Sequence, residues 1–337
     1  MMIWLFFLAT AGALVFAAFK LTVYADELAD EYGVTKSFIG LLLVGLVTSL
    51  PELATTVSSV TKVDSPDMAL GNVFGSVLFN LLILAIIDAV FRKGGVLRLM
   101  DRRNIVSAIW DIIILGAMLL GLLFPVTVSV GALHVGLGSL LVIALGVMAF
   151  WAVHESERLH PLEVEESKLM EELKPKGNGA LMKFGIAAAG VVVCGFALAV
   201  TGDKLATQTG LSHTFVGTLF LAIATSLPEF IVSITAMRIG AYELMLGNIL
   251  GSNIWNVMIV AFSDIAYARA PLSVPRNLGW GQVYSGLLGI LATCVVILAL
   301  VHRRPQEKRM PVARESLIIA ALYFVCLLGL FFGWSIL

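Results

Sequence analysis

Charge is the scarcest commodity in this sequence. Lys, Arg, Asp and Glu together make up 13% of its 337 residues, where a soluble domain carries about 25%. A soluble enzyme of this size needs far more polar surface, so that class is excluded. Net charge is nearly absent as well: 22 basic and 23 acidic residues leave −1. Nothing here attracts a nucleic acid through basic charge. Cysteine is almost missing, with three residues in the whole chain. A disulfide-built secreted module is thereby excluded. Cys194, Cys294 and Cys326 all lie in apolar runs and read as small core residues. The chain also opens without a basic segment ahead of a short apolar core, so its start is expected to be a first membrane span rather than a cleavable signal peptide.

What abounds is apolar surface. Hydrophobic residues reach 59% and the mean hydropathy is +0.97, which also excludes a disordered chain. Ten stretches have the roughly 20 mainly apolar residues that a membrane-crossing helix needs. They lie near 2–24, 36–61, 68–91, 103–125, 131–154, 181–203, 212–238, 243–266, 280–301 and 313–336. A β-barrel would alternate in polarity over segments of about 10 residues, and runs such as Ile112-Ile113-Ile114-Leu115-Gly116-Ala117-Met118-Leu119-Leu120 do not. The expected fold is an all-α membrane protein of ten transmembrane helices. Of the 22 basic residues, Lys62, Lys204, Arg269 and Arg276 fall in even-numbered connections, and the remaining 18 fall in odd-numbered ones. Positively charged loops stay on the cytoplasmic side, so the odd connections face the cytoplasm and both termini lie outside. Residues 155–180 form the longest polar stretch and are expected to be a cytoplasmic linker.

The two halves of the chain repeat each other. Thr48-Ser49-Leu50-Pro51-Glu52 recurs as Thr225-Ser226-Leu227-Pro228-Glu229, at an offset of 177. The block Gly71 to Asn80 recurs as Gly247 to Asn256, at an offset of 176, and Asp88 matches Asp264 at the same offset. Residues 1–154 and 181–337 therefore form two five-helix repeats, with motif blocks at 48–80 and 225–256. Because five is odd, the second repeat enters the membrane from the opposite face. Inverted repeats with interrupted helices mark secondary transporters, whose substrate sites lie near the bilayer midplane.

The repeated residues suit cation chemistry. Proline lacks an N–H and clashes with the carbonyl four residues back, so Pro51 and Pro228 free the carbonyls of Val47 and Ala224. A freed carbonyl in lipid is costly unless something binds it. Thr48, Ser49, Thr225 and Ser226 add hydroxyls beside it. Each proline is followed by a glutamate, and a lone charge at the midplane costs at least about 2.5–3.5 kcal/mol. No Lys or Arg is centrally placed to neutralise Glu52 and Glu229, so the pair demands a cation or protons. The third and eighth spans carry Gly71/Gly75 and Gly247/Gly251, pairs of small residues that allow close helix approach. One turn on, Ser76 with Asn80 and Ser252 with Asn256 share a helix face. An all-oxygen set of this kind suits hard cations such as Ca²⁺ or Na⁺, and the motifs offer no Cys or His for zinc or copper. Elsewhere, Asp88 and Asp264 are expected at helix ends or the interface, and Asp111 in a packing or interfacial role. Trp4, Tyr24, Trp280 and Trp334 read as interface anchors.

The paired Thr-Ser-Leu-Pro-Glu and Gly-Asn-x-x-Gly-Ser blocks resemble the α-repeats of the sodium/calcium exchanger branch of the cation/Ca²⁺ exchanger superfamily, in its prokaryotic type. The resemblance covers roughly 45 residues in each half and agrees with the ten-span layout. It implies an antiporter in the plasma (inner) membrane that exchanges Ca²⁺ for Na⁺ by alternating access, or in some branches for H⁺. No cofactor, nucleic acid or protein partner is implied, only the bilayer and the transported cations. It further implies an ion site formed by spans two, three, seven and eight. Its ligands would be Thr48, Ser49, Glu52, Ser76, Asn80, Thr225, Ser226, Glu229, Ser252 and Asn256. Spans one and six would slide across this core. Three positions depart from the family's pattern. Asn256 stands where Asp is frequent, which leaves two carboxylates. Val47 and Ala224 replace a Gly before the Thr-Ser pair, and Val77 replaces an Asn after Gly-Ser. Two other classes stay open. A passive cation channel could use the same oxygens. An intramembrane enzyme fits less well, for want of a His-Glu-x-x-His motif or a Ser–His pair at matched depth.

Overall fold

The structure is a computed structural model and describes residues 2–31, 45–91, 96–100, 104–130, 133–159, 179–238, 240, 242–267, 271–272, 280–302 and 312–333. The apolar runs fold as helices: α1 (Met2–Glu31), α2 (Leu50–Thr61), α3 (Pro66–Phe91), α4 (Asn104–Leu123), α5 (Leu137–Leu159), α6 (Ala180–Thr209), α7 (His213–Thr225), α8 (Leu227–Arg238), α9 (Tyr242–Ala266), α10 (Trp280–Val301) and α11 (Arg314–Gly333). Eight of them are each long and apolar enough to cross a membrane, and the bent pair α7–α8 makes a ninth. The second expected span, 36–61, is described only from residue 45 onward, so the full count of ten is not reached among the described residues. Most of the expected linker, 160–178, also lies outside them.

One expectation fails. The fifth span was expected from residue 131, but its helix begins at Leu137. The preceding residues pair as an antiparallel hairpin, β1 (Thr127–Val130) with β2 (Leu133–Gly136), in the register Thr127↔Gly136 and Val130↔Leu133. Among the described residues the protein is therefore helical but for this hairpin. Pro125 ends α4 nearby, because it cannot continue the helical hydrogen bonds. The alternating Thr127-Val128-Ser129-Val130 then favours a strand, since β-branched residues fit the pleated surface.

Burial separates inner from outer helices. In α3 and α9, 83% and 78% of the apolar window is buried, against 17% for α1 and 28% for α6. A helix that is apolar all round belongs inside the bundle, and α3 is of that kind. Helices α1 and α6 have 30 residues each, about 45 Å at 1.5 Å per residue. The hydrocarbon core is about 30 Å thick, so both helices must tilt or project beyond it. They pack along one another through Leu14, Ala18 and Leu21 against Ala187, Val191 and Leu198, and this seam rests on Met68, Val216 and Leu221 of the inner helices.

The tightest helix contact joins α3 to α7. A Cβ added at Gly71 would lie 2.6 Å from the Thr214 carbonyl oxygen, and one at Gly75 would lie 2.6 Å from Thr218 Cα. These glycines are needed for backbone approach, as the small-residue spacing predicts. Gly251, the counterpart of Gly75, meets nothing within 4 Å among the described residues. Gly75→Ala is therefore expected to force the two backbones apart and cost about 1–3 kcal/mol, seen as a lower melting temperature in detergent. Gly12→Ala, where the new Cβ meets nothing within 4 Å, serves as the neutral control.

Matching residues of the two halves make matching bonds at the helix ends. Asp88, three residues before the end of α3, accepts from the backbone N–H of Val96 (2.9 Å) and of Ala313 (2.6 Å). Asp264, two residues before the end of α9, accepts from the N–H of Leu272 (2.5 Å) and of Gly136 (2.8 Å), and from Ser139 Oγ (2.7 Å). Val96 and Leu272 differ by 176, as the aspartates do, and Gly136 and Ala313 differ by 177. Each aspartate thus holds the loop after its own helix and the entry of a helix from the other half. Both are buried, at 0% and 1% exposure, and both sit at the helix ends where they were expected.

Candidate ion-binding site

The two Thr-Ser-Leu-Pro-Glu segments break their spans in the same way. Ser49 adopts φ −86°, ψ 2°, and Ser226 adopts φ −90°, ψ 8°. This is the sparsely used bridge region between helix and strand. A new helix then starts at Leu50 and at Leu227, with the proline in its first turn, where a missing N–H costs nothing. The second break bends the α7–α8 pair by 46°. Each break sets a helix N-terminus inside the protein, and its glutamate lies in that first turn, where the helix dipole favours negative charge.

The breaks face each other across the two halves. Ser226 Oγ donates to Glu52 Oε1 at 2.8 Å, and Ser49 Oγ donates to Glu229 Oε1 at 3.4 Å. Thr48 Oγ1 and Ser252 Oγ lie 3.5 Å apart. Thr225 and Ser76 stand around Glu52 as Thr48 and Ser252 stand around Glu229, and the two carboxyls are near enough to feel each other's charge. All ten residues expected as ligands are at most 2% exposed. Ser49, Glu52, Ser226 and Glu229, and Thr48 with Ser252, are thus brought together across the two halves, while Asn80 and Asn256 are buried as well.

The bonding leaves a specific set of atoms open. Among the described residues, Glu52 Oε2, Glu229 Oε2, Ser76 Oγ, Asn80 Oδ1 and both polar atoms of Asn256 have no hydrogen-bond partner. Buried polar atoms are nearly always paired, so these open oxygens, with the Asn256 NH₂ group beside its own, mark the residues as candidate cation ligands. Thr225 is more committed than expected: its hydroxyl donates toward Asn72 Oδ1 (3.3 Å) and toward the carbonyls of Leu221 and Ala222 (3.0 and 3.3 Å). Among the described residues no group of three or more His, Cys, Asp and Glu side chains is arranged to hold a metal.

Several residues were not assigned roles from sequence. Asn72 Nδ2 donates to Thr56 Oγ1 (2.9 Å), and Asn248 Nδ2 donates to Ser233 Oγ (3.2 Å) and the Glu229 carbonyl (3.3 Å). These asparagines tie the α3 and α9 helices to the half-helices that carry the glutamates. Their presence inside both repeated blocks was the signal available. Asn253 was also missed; its Oδ1 accepts from Asn80 Nδ2 at 3.0 Å. It has no counterpart in the first half, where Val77 stands, so the repeat could not point to it.

The model of the family described as sodium/calcium exchanger protein matches residues 2–154 and 180–332. The chain belongs to that family. Among curated relatives, the putative antiporter CaxA of Alkalimonas amylolytica is 29% identical over 268 residues, covering 76% of this chain and 78% of that one. Among solved structures, the H⁺/Ca²⁺ exchanger CAX superposes with a TM-score of 0.68 at 17% identity, over 98% of this chain and 88% of that one. The sodium-calcium exchanger NCX_Mj superposes with a TM-score of 0.58 at 18% identity, over 97% and 98%. At such identities the two structures establish the fold. This family member is an integral membrane protein of the cation/Ca²⁺ exchanger superfamily, whose relatives are transporters rather than enzymes.

Proposed function

We propose that the protein is a secondary active antiporter that exchanges Ca²⁺ for Na⁺ by alternating access. Its frame would be two inverted five-helix repeats, 1–154 and 181–337, in a prokaryotic plasma membrane with both termini outside. The ions would bind at Thr48, Ser49, Glu52, Ser76, Asn80, Thr225, Ser226, Glu229, Ser252 and Asn256. One observation carries this reading: Glu52 and Glu229 are fully buried side by side, and each keeps one oxygen without a partner. Two carboxylates are neutralised by one Ca²⁺ or by two monovalent cations. Competition between those two loads for the same oxygens couples the fluxes, because a bare pair of charges is costly to move through a low-dielectric interior. The long paired helices α1 and α6, with their seam on the inner helices, suit a sliding unit.

A second reading replaces Na⁺ with H⁺. It is favoured by the same free oxygens, since one proton on each glutamate neutralises the site without any further ligand. The two are separated by uptake of radiolabelled Ca²⁺ into proteoliposomes under a Na⁺ gradient at equal pH, and under a pH gradient without Na⁺. The expected result is Ca²⁺ accumulation driven by the Na⁺ gradient. Accumulation driven only by the pH gradient moves the assignment to H⁺. Ca²⁺ flux indifferent to both gradients overturns antiport in favour of a channel.

A further inference from the structure

A third buried carboxyl lies outside the repeated motifs. Asp111 is on α4, seven residues from its start, or about 10 Å along the axis. It is 5% exposed, and among the described residues neither of its oxygens accepts a hydrogen bond of ordinary geometry. A membrane-embedded carboxyl without a partner is a functional candidate by its cost alone. Beside it stands the side chain of Asn253 on α9, which is 1% exposed and whose Nδ2 has no partner. The Oδ1 of Asn253 takes the Nδ2 of Asn80, which leaves Asn80 Oδ1 free among the open oxygens of the ion site. Asp111, Asn253 and Asn80 therefore form a line that runs from α4 into the site.

The fold itself does not require this line. The position 176 residues before Asn253 is Val77, and those 176 and 177 residues after Asp111 are Leu287 and Leu288. Val77 and Leu288 are both buried. Val77 faces α10, where a Cβ on Gly289 would lie 3.4 Å from Val77 Cγ1. The equivalent positions in the other half are thus apolar, and α3 and α10 still pack together there. Only one half carries the polar pair.

We infer that Asp111 is a positioning residue for the ion site, acting through Asn253 on Asn80. An amide side chain has an acceptor end and a donor end, and a chain of two amides can run in either sense. A carboxylate accepts only, so Asp111, when ionised, draws the Nδ2 of Asn253 toward α4. That turns Asn253 Oδ1 to Asn80, engages Asn80 Nδ2, and presents Asn80 Oδ1 to the cation. Without Asp111 the reversed chain is equally good, and it aims the Asn80 NH₂ group at the cation. The inference deepens the proposed function and rests on its assignment of Asn80 as a cation ligand.

The test is radiolabelled Ca²⁺ binding to the purified full chain, with Ca²⁺ flux in proteoliposomes. Asp111→Leu installs the residue of the other half. It is expected to raise half-saturating Ca²⁺ by about fivefold or more, with maximal flux within about twofold and an undiminished melting temperature. Asn80→Asp presents an oxygen in either sense, so adding Asp111→Leu to it is expected to leave half-saturation unchanged; such non-additivity reports coupling. Unchanged half-saturation in Asp111→Leu, or additive effects in the double variant, overturns the inference. If Asp111→Leu does not fold, the nearly isosteric Asp111→Asn carries the test, with a rise of about twofold expected and none overturning it. Glu52→Gln runs alongside. Normal Ca²⁺ binding there overturns the site assignment and this inference with it, whereas its loss beside an unaffected Asp111→Leu overturns the positioning role alone.

Discussion

Glu52→Gln and Glu229→Gln are each expected to bring Ca²⁺ exchange below detection in a protein that still folds. The substitution keeps the shape of the side chain, and its Oε1 can still accept from Ser226 or Ser49. What changes is the other atom. The partnerless Oε2 becomes an NH₂ group that points hydrogens at the cation, and one of two negative charges disappears. A bound Ca²⁺ would then leave a net positive charge in the interior, at a cost of several kcal/mol. Each 1.4 kcal/mol is a factor of ten in affinity, so binding falls by more than about a hundredfold. Stability moves the other way, because an uncompensated buried charge is gone. Without Ca²⁺ the variants are expected to melt at or above the wild-type temperature. Added Ca²⁺ raises the melting temperature only of a protein that binds it, so the wild type shifts and the variants do not. The two effects are expected to be similar, since Ser226–Glu52 and Ser49–Glu229 are counterparts at an offset of 177. Wild-type flux in either variant would remove that glutamate from the site.

The proposed ion site was legible in sequence because its residues come in two copies. A glutamate after a proline in an apolar run is ambiguous once, but its recurrence at a fixed offset turns each half into a test of the other. Residues without a copy were not legible. Asn253 and Asp111 have apolar counterparts, and only the contact between α4 and α9 brings them together. The role of Asn72 and Asn248 was hidden for a different reason. They lie inside the repeated blocks, but their partners Thr56 and Ser233 look like ordinary small polar residues of a membrane helix. The hairpin at 127–136 was masked by composition, since valine serves a membrane helix and a strand equally well. The helices themselves were legible to within a few residues, because each must supply its own backbone hydrogen bonds across the lipid. Asp88 and Asp264 were found by their common offset, but what they bind lies up to 225 residues away in the chain.

Asp264→Ala is expected to be the most destabilising single change outside the ion site. A carboxylate in the last turn of a helix opposes the helix dipole, so Asp264 must be held there by what it accepts. It takes two backbone N–H groups, from Gly136 and Leu272, and the hydroxyl of Ser139. Alanine leaves all three donors without an acceptor in a buried place. A buried donor left unsatisfied costs about 1–3 kcal/mol, so the total reaches at least about 3 kcal/mol, set against the usual 5–15 kcal/mol of net stability. Asp264→Asn keeps one accepting oxygen and is expected to fall between wild type and alanine. Asp88→Ala is expected to destabilise in the same manner, through the N–H groups of Val96 and Ala313. Thermal unfolding in detergent, followed by intrinsic tryptophan fluorescence, gives this order directly. Ca²⁺ binding by the fraction that remains folded separates the role from that of an ion ligand. Asp264 closes loops at a helix end, two residues from the C-terminus of α9, so half-saturation is expected to stay at the wild-type value. A melting temperature unchanged in Asp264→Ala, with altered half-saturation, would instead place this carboxylate on the path of the ion.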